Sequence, residues 1–145
     1  MELLILNHNI EEINNISELL KIGKDFIEKK KFDEGKKFIK KALKINPEDL
    51  NVLNSMGFAH GRAGEFDEAI KWYKKALAIE PNFQKALGNI GHVYEMKGDF
   101  ALAIEFYEKS LEAKSDNEEL MFPAEIMPVI NEHLQKAREA AKKEK

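Results

Sequence analysis

The residues of this chain predict an all-α protein, an α-solenoid of antiparallel helix pairs. Three features carry that prediction: a 34-residue internal period, glycine and proline punctuation inside each period, and a composition rich in Lys, Glu, Leu, Ile and Ala with four prolines in 145 residues. The period shows in many columns at once. Gly23, Gly57 and Gly91 are one step apart, as are Leu19, Leu53 and Leu87, and Ile22, Met56 and Ile90. Phe32, Phe66 and Phe100 follow the same step, then Gly35, Ala69 and Ala103, then Ala42, Ala76 and Ser110, then Leu43, Leu77 and Leu111. Pro47 and Pro81 close two of the units, with Ser115 in the third. The chain is expected to hold repeats over 16–49, 50–83 and 84–117, preceded by an extension over 1–15 and followed by a linker and capping helix over 118–145.

Each unit reads as two helices. In the second, Leu53, Met56, Ala59 and His60 make one helical stripe. Gly64 ends that helix where a left-handed residue costs glycine nothing. Phe66, Ala69, Ile70, Tyr73, Ala76 and Leu77 form the stripe of the next helix, and Pro81 forbids its continuation. The small residues Gly57 and Ala69 mark the level where paired helices come closest, since a larger side chain would force the axes apart. Gly23 with Gly35, and Gly91 with Ala103, repeat that level in the outer units.

The ends depart from the period. Pro123 and Glu125 fall where a fourth unit would need a helix former and a small residue. From Pro128 the chain reads as one amphipathic helix with Ile130, Leu134, Ala137 and Ala141 on its apolar side, suited to cover the last unit of a stack. Asn9 and Glu12 resemble a capping box, so a helix is expected to begin there and run into the first unit. Met1–Leu6 is left as a short apolar tail.

Composition excludes several functions. The chain has no cysteine, which removes disulfides, thiolate zinc sites and thiol chemistry. It has neither a signal-peptide pattern nor an apolar stretch long enough to cross a membrane, so a cytoplasmic protein without integral membrane insertion is expected. The net charge of −3 and the scarcity of arginine argue against nucleic-acid binding. Charge is unevenly placed: residues 21–44 carry ten lysines and four acids, residues 99–120 seven acids and two lysines. The four histidines, His8, His60, His92 and His133, form no i, i+4 pair and no H-E-x-x-H motif. His60 stands in the column of Phe26 and Tyr94 and reads as a core aromatic substitute. There is no glycine-rich phosphate loop and no nucleophile elbow. No catalytic residue, cofactor or metal site is expected.

The second unit reads Leu53-x2-Met56-Gly57-x2-His60, Ala69-x3-Tyr73, Ala76 and Pro81, and the third Leu87-x2-Ile90-Gly91-x2-Tyr94, Ala103-x3-Tyr107 and Ser110. With Leu19-x2-Ile22-Gly23-x2-Phe26 in the first, residues 16–117 resemble the tetratricopeptide repeat family. That resemblance implies a superhelix whose first helices line a concave groove that binds a peptide segment of a protein partner. The groove residues it implies are Leu20 and Lys24 in the first unit and Asn54, Ser55, Phe58 and Arg62 in the second. In the third they are Lys85, Asn89, His92 and Met96, with Gly88 and Glu95 on the same side. Their charge favours an extended peptide of acidic character, as in an adaptor, an assembly factor or a co-chaperone-like protein. Chaperone-binding members of the family hold a C-terminal carboxylate with Lys, Asn, Asn, Lys and Arg. The matching positions here are Leu20, Lys24, Ser55, Lys85 and Asn89, and of these only Lys85 keeps its type. The alternative is a self-assembling homo-oligomeric scaffold that uses the apolar tail and the oppositely charged ends.

Overall fold

A computed structural model describes residues 10–144. The described residues contain helices and turns and no strand, as the all-α expectation requires. The helices are α1 (Ile16–Glu28), α2 (Phe32–Ile45), α3 (Leu50–Arg62), α4 (Phe66–Ile79), α5 (Gln84–Lys97), α6 (Phe100–Glu112) and α7 (Met127–Lys143). Two 3₁₀ turns, Glu118–Leu120 and Ala124–Ile126, lie between α6 and α7. None of these helices is long and apolar enough to cross a membrane. The chain divides within α4 into two compact units, one ending at Trp72 and the other beginning at Tyr73.

The first helix of every pair ends by one device. The N–H groups of Lys31, Glu65 and Asp99 donate to the carbonyls of Phe26, His60 and Tyr94, each at 2.9 Å. One residue earlier the backbone turns left-handed, at Lys30 (φ 64°), Gly64 (φ 80°) and Gly98 (φ 83°). This six-to-one closure satisfies carbonyls that a helix C-terminus otherwise leaves open. Two of the three pairs use glycine for it; the first uses a lysine.

In the first unit α1 packs on α2, α2 on α3, and α1 on α3. Leu19, Ile27, Phe38, Ile39, Ala42, Val52, Met56 and Ala59 form its core. Fully burying each of the larger ones contributes about 1.5–3 kcal/mol. The pair α1/α2 meets at two glycines. A Cβ on Gly35 would stand 2.8 Å from the Gly23 carbonyl oxygen and 2.7 Å from Ile27 Cδ1. Phe26 and Phe38 stack beyond that contact, with ring centroids 5.6 Å apart. Residues 10–12 are helical, but the helix does not run into the first repeat. It breaks at residues 13–15, and the Asn15 side chain accepts from the Glu18 N–H at 3.0 Å, so α1 begins with its own cap. Ile10 is held where the Lys41 ammonium donates to its carbonyl. Asn9 and the apolar tail Met1–Leu6 lie outside the described residues.

In the second unit α5 pairs with α6, and α7 packs against both. Gly91 lets the α5 backbone approach Tyr107, whose Cδ1 would be 2.8 Å from an added Cβ. Tyr94 and Phe106 face each other at 5.7 Å, in the columns that hold Phe26 and Phe38 in the first unit. The capping helix starts at Met127 with Pro128 in its first turn, a position whose N–H needs no helical acceptor. Ile130, Leu134 and Ala137 are buried, as the amphipathic pattern predicts, and Ala141 is half-buried. Arg138 on α7 meets Glu108 on α6 at 2.9 Å.

Candidate functional site

The predicted groove residues of the first two repeats lie on α1 and α3, two first helices that pack side by side. Leu20 and Phe58 are half-buried, each with one side against the core. Arg62, one helical turn after Phe58, holds its guanidinium 5.7 Å from that ring's centroid. A cation there is steadied by the ring quadrupole while its N–H donors stay in water. Lys24 is exposed, with Glu28 one turn away at 3.9 Å, a loose surface pair. Asn54 and Ser55 are half-buried between the apolar and charged residues of α3. Together these side chains present two cations, an amide, a hydroxyl and two apolar surfaces from adjacent helices.

On α5, Lys85 and Asn89 are half-buried, and Met96 is 44% exposed. Three other residues predicted to face the groove are engaged within the second unit. Gly88 is buried: a Cβ there would lie 2.7 Å from Phe122 Cε2, because the segment between α6 and α7 lays Phe122 on the glycine. Glu95 accepts from the Tyr107 hydroxyl at 3.0 Å and meets His133 Nδ1 at 2.9 Å. His92 sets its ring 5.4 Å from that of His133, edge to face. The common reason is the C-terminal segment. Where a further repeat would stack, this chain places Phe122 and α7 against α5, which the 34-residue period of the preceding units does not foretell.

That segment is anchored through two buried polar residues. Gln84 donates from Nε2 to the Ser110 carbonyl at 2.9 Å, and the Ser110 hydroxyl donates back to the Gln84 carbonyl at 3.1 Å. Gln84 Oε1 then accepts from the Phe122 N–H at 2.8 Å. The signal was present in the sequence. Gln84 stands where the earlier repeats have Ile16 and Leu50, and Ser110 where they have Ala42 and Ala76, so two apolar columns turn polar in the same repeat.

The remaining polar clusters concern His60 and Tyr107. His60 is half-buried on α3, and its buried Nδ1 makes no hydrogen bond, with Glu65 Oε1 3.5 Å away. Glu65 is drawn instead to Lys36 at 2.6 Å, a hydrogen bond that holds its carboxyl below the usual range. Burial, and then the Lys36 charge, push the His60 imidazole below its ordinary value of 6.5. Burial raises the Tyr107 hydroxyl, and the Glu95 carboxylate beside it raises it further.

One set of donors was not assembled from sequence spacing. His92, Glu95 and His133 each offer a ligand atom, and these atoms lie within 4.8 Å of one another. His92 and Glu95 stand three apart on α5, but His133 arrives from α7, so no local motif announces the three together.

Comparison with known proteins agrees with this architecture. Family models described as tetratricopeptide repeat match residues 19–49 and 85–117, and one described as TPR repeat matches residues 62–98. No curated protein matched in sequence. Among solved structures, the Sgt2 TPR domain from Aspergillus fumigatus is 19% identical with a TM-score of 0.72, covering 90% of this chain and 81% of its own. The TPR2B domain of yeast Sti1, solved with an Hsp70 peptide, is 21% identical with a TM-score of 0.72 over 86% of this chain and 96% of its own. The type III secretion translocator chaperone SycD of Yersinia enterocolitica, solved with a peptide of the translocator YopD, is 15% identical. Its TM-score is 0.69 over 84% of this chain and 91% of its own. At these identities the likeness is one of fold. With repeat matches in three successive units and the helix pairs that they encode, the chain belongs to the tetratricopeptide repeat family.

Proposed function

We propose that this protein is a non-catalytic protein–protein interaction module that holds an extended peptide segment of acidic character. The observation that carries the reading is the face shared by α1 and α3, where Arg62 rests on the half-buried Phe58 beside Asn54 and Ser55, with Lys24 and Leu20 on the adjacent helix. Phe58 and Leu20 supply apolar contact, Asn54 and Ser55 can bond a peptide backbone, and Arg62 can fork to a carboxylate. Lys85, Asn89 and Met96 on α5 of the second unit are side chains of the same kinds. The Sti1 domain and SycD, both solved with peptides of other proteins, support a peptide as the ligand class. Of the positions that would form a carboxylate clamp for a chaperone tail only Lys85 carries the needed cation, so an internal acidic segment is favoured over a free C-terminus.

The test is selection from a displayed peptide library on the immobilised 145-residue chain. Acidic sequences with an apolar residue should be enriched, and changing Lys24, Arg62 and Lys85 together to Ala should abolish their capture while leaving the helical circular dichroism intact. Enrichment of peptides without acidic bias, or capture unaffected by the triple change, would reject the reading.

A further inference from the structure

We infer that His92, Glu95 and His133 form a binding site for one divalent transition-metal ion, with Zn²⁺ as the best fit, which cross-links the capping helix to the third repeat. Two imidazoles and one carboxylate are the donor set that Zn²⁺ takes, with a fourth position left for water. In a tetrahedral site with bonds of about 2.0–2.1 Å, neighbouring donor atoms stand about 3.3 Å apart. His133 Nδ1 is already 2.9 and 3.0 Å from the two Glu95 oxygens, and all three donors lie within 4.8 Å of one another. The ion takes the place of the direct contact between His133 Nδ1 and the Glu95 carboxylate, and a small rotation of the exposed His92 ring completes the three ligands.

The support around these side chains is what a metal ligand set needs. The Tyr107 hydroxyl donates to Glu95 Oε1 at 3.0 Å, and such an outer hydrogen bond fixes the direction of a ligating carboxylate. Helical spacing of three places His92 and Glu95 on one side of α5. The opposing ligand comes from α7, whose buried stripe of Ile130, Leu134 and Ala137 already seats it. Binding therefore joins two elements distant in sequence and favours the folded chain over the unfolded one. The hard ions Mg²⁺ and Ca²⁺ prefer all-oxygen sites and do not match it.

The experiment uses the full chain without a polyhistidine tag, stripped with chelator and titrated with Zn²⁺ by calorimetry and with Co²⁺ by visible absorption. One equivalent should bind, and Zn²⁺ at about a hundred times its dissociation constant should raise the melting midpoint of the chain by about 5–10 °C. Mg²⁺ should not. His92→Ala, at an exposed position and with folding checked by circular dichroism, should remove the shift. Glu95→Gln, which keeps an acceptor for Tyr107, should weaken binding at least tenfold, and His60→Phe should leave it unchanged. The inference is overturned by the absence of saturable one-to-one binding below about 100 µM, or by an equal Zn²⁺ shift in the His92→Ala variant.

Discussion

Gln84 and Ser110 bind each other twice, side chain to backbone in both directions, at 2.9 and 3.1 Å, while both are almost wholly buried. Low dielectric makes these bonds costly to break, because each orphaned group keeps its full desolvation penalty. Gln84→Leu restores the residue type of the earlier repeats but leaves the Phe122 N–H without its acceptor. It should cost about 1–3 kcal/mol in urea denaturation. Ser110→Ala removes only the second bond, whose acceptor is a backbone carbonyl, so its cost should add to that of Gln84→Leu to within about 0.5 kcal/mol.

Lys30 adopts the left-handed backbone that Gly64 and Gly98 supply in the other repeats. A side chain there costs about 1–2 kcal/mol, part of which glycine returns through its freer unfolded chain. Lys30→Gly should therefore stabilise the protein by about 0.5–1 kcal/mol. Gly98→Ala should destabilise it by a similar amount, and denaturation midpoints of both variants against wild type check the two signs.

Gly35 cannot accept even a methyl group without movement, since its Cβ would lie 2.8 Å from the backbone oxygen of Gly23. Alanine is the better helix former by about 1 kcal/mol, so propensity alone predicts a gain. Overpacking against a backbone atom should outweigh it, and Gly35→Ala should lower stability by about 1–3 kcal/mol. A melting temperature at or above that of wild type would show that α1 and α2 can part without loss.

His60 makes the first unit sensitive to acid. Its folded pKa lies below the ordinary 6.5, so as pH falls past 6.5 the unfolded chain takes up the proton first. The folded state then loses relative stability until pH drops below the lowered folded value. His60→Phe, which installs the residue type of Phe26 in the same column, removes this titration. The urea midpoint of wild type should fall between pH 7.5 and 5.5 by more than that of the variant, and equal falls would place the acid sensitivity elsewhere.

The helix pairs were legible in the sequence because they repeat. A column such as Leu19, Leu53 and Leu87 reports the same buried environment three times, and Gly64 or Pro81 marks a boundary through backbone geometry alone, with no need of a distant partner. The seat of the C-terminal segment was not legible in that way. Its apolar stripe predicted a helix from about residue 128 suited to cover the last repeat, but a stripe does not say which side chains it meets there. Packing alone sets Phe122 against Gly88 and brings His133 to Glu95, 38 residues earlier. The same is true of Gly35, whose small size is visible in the sequence while the oxygen it makes room for is not. Local pattern and backbone chemistry determined the elements and their caps; the close approach of residues far apart in the chain, which depends on how the helices stack, was decided only by the tertiary structure.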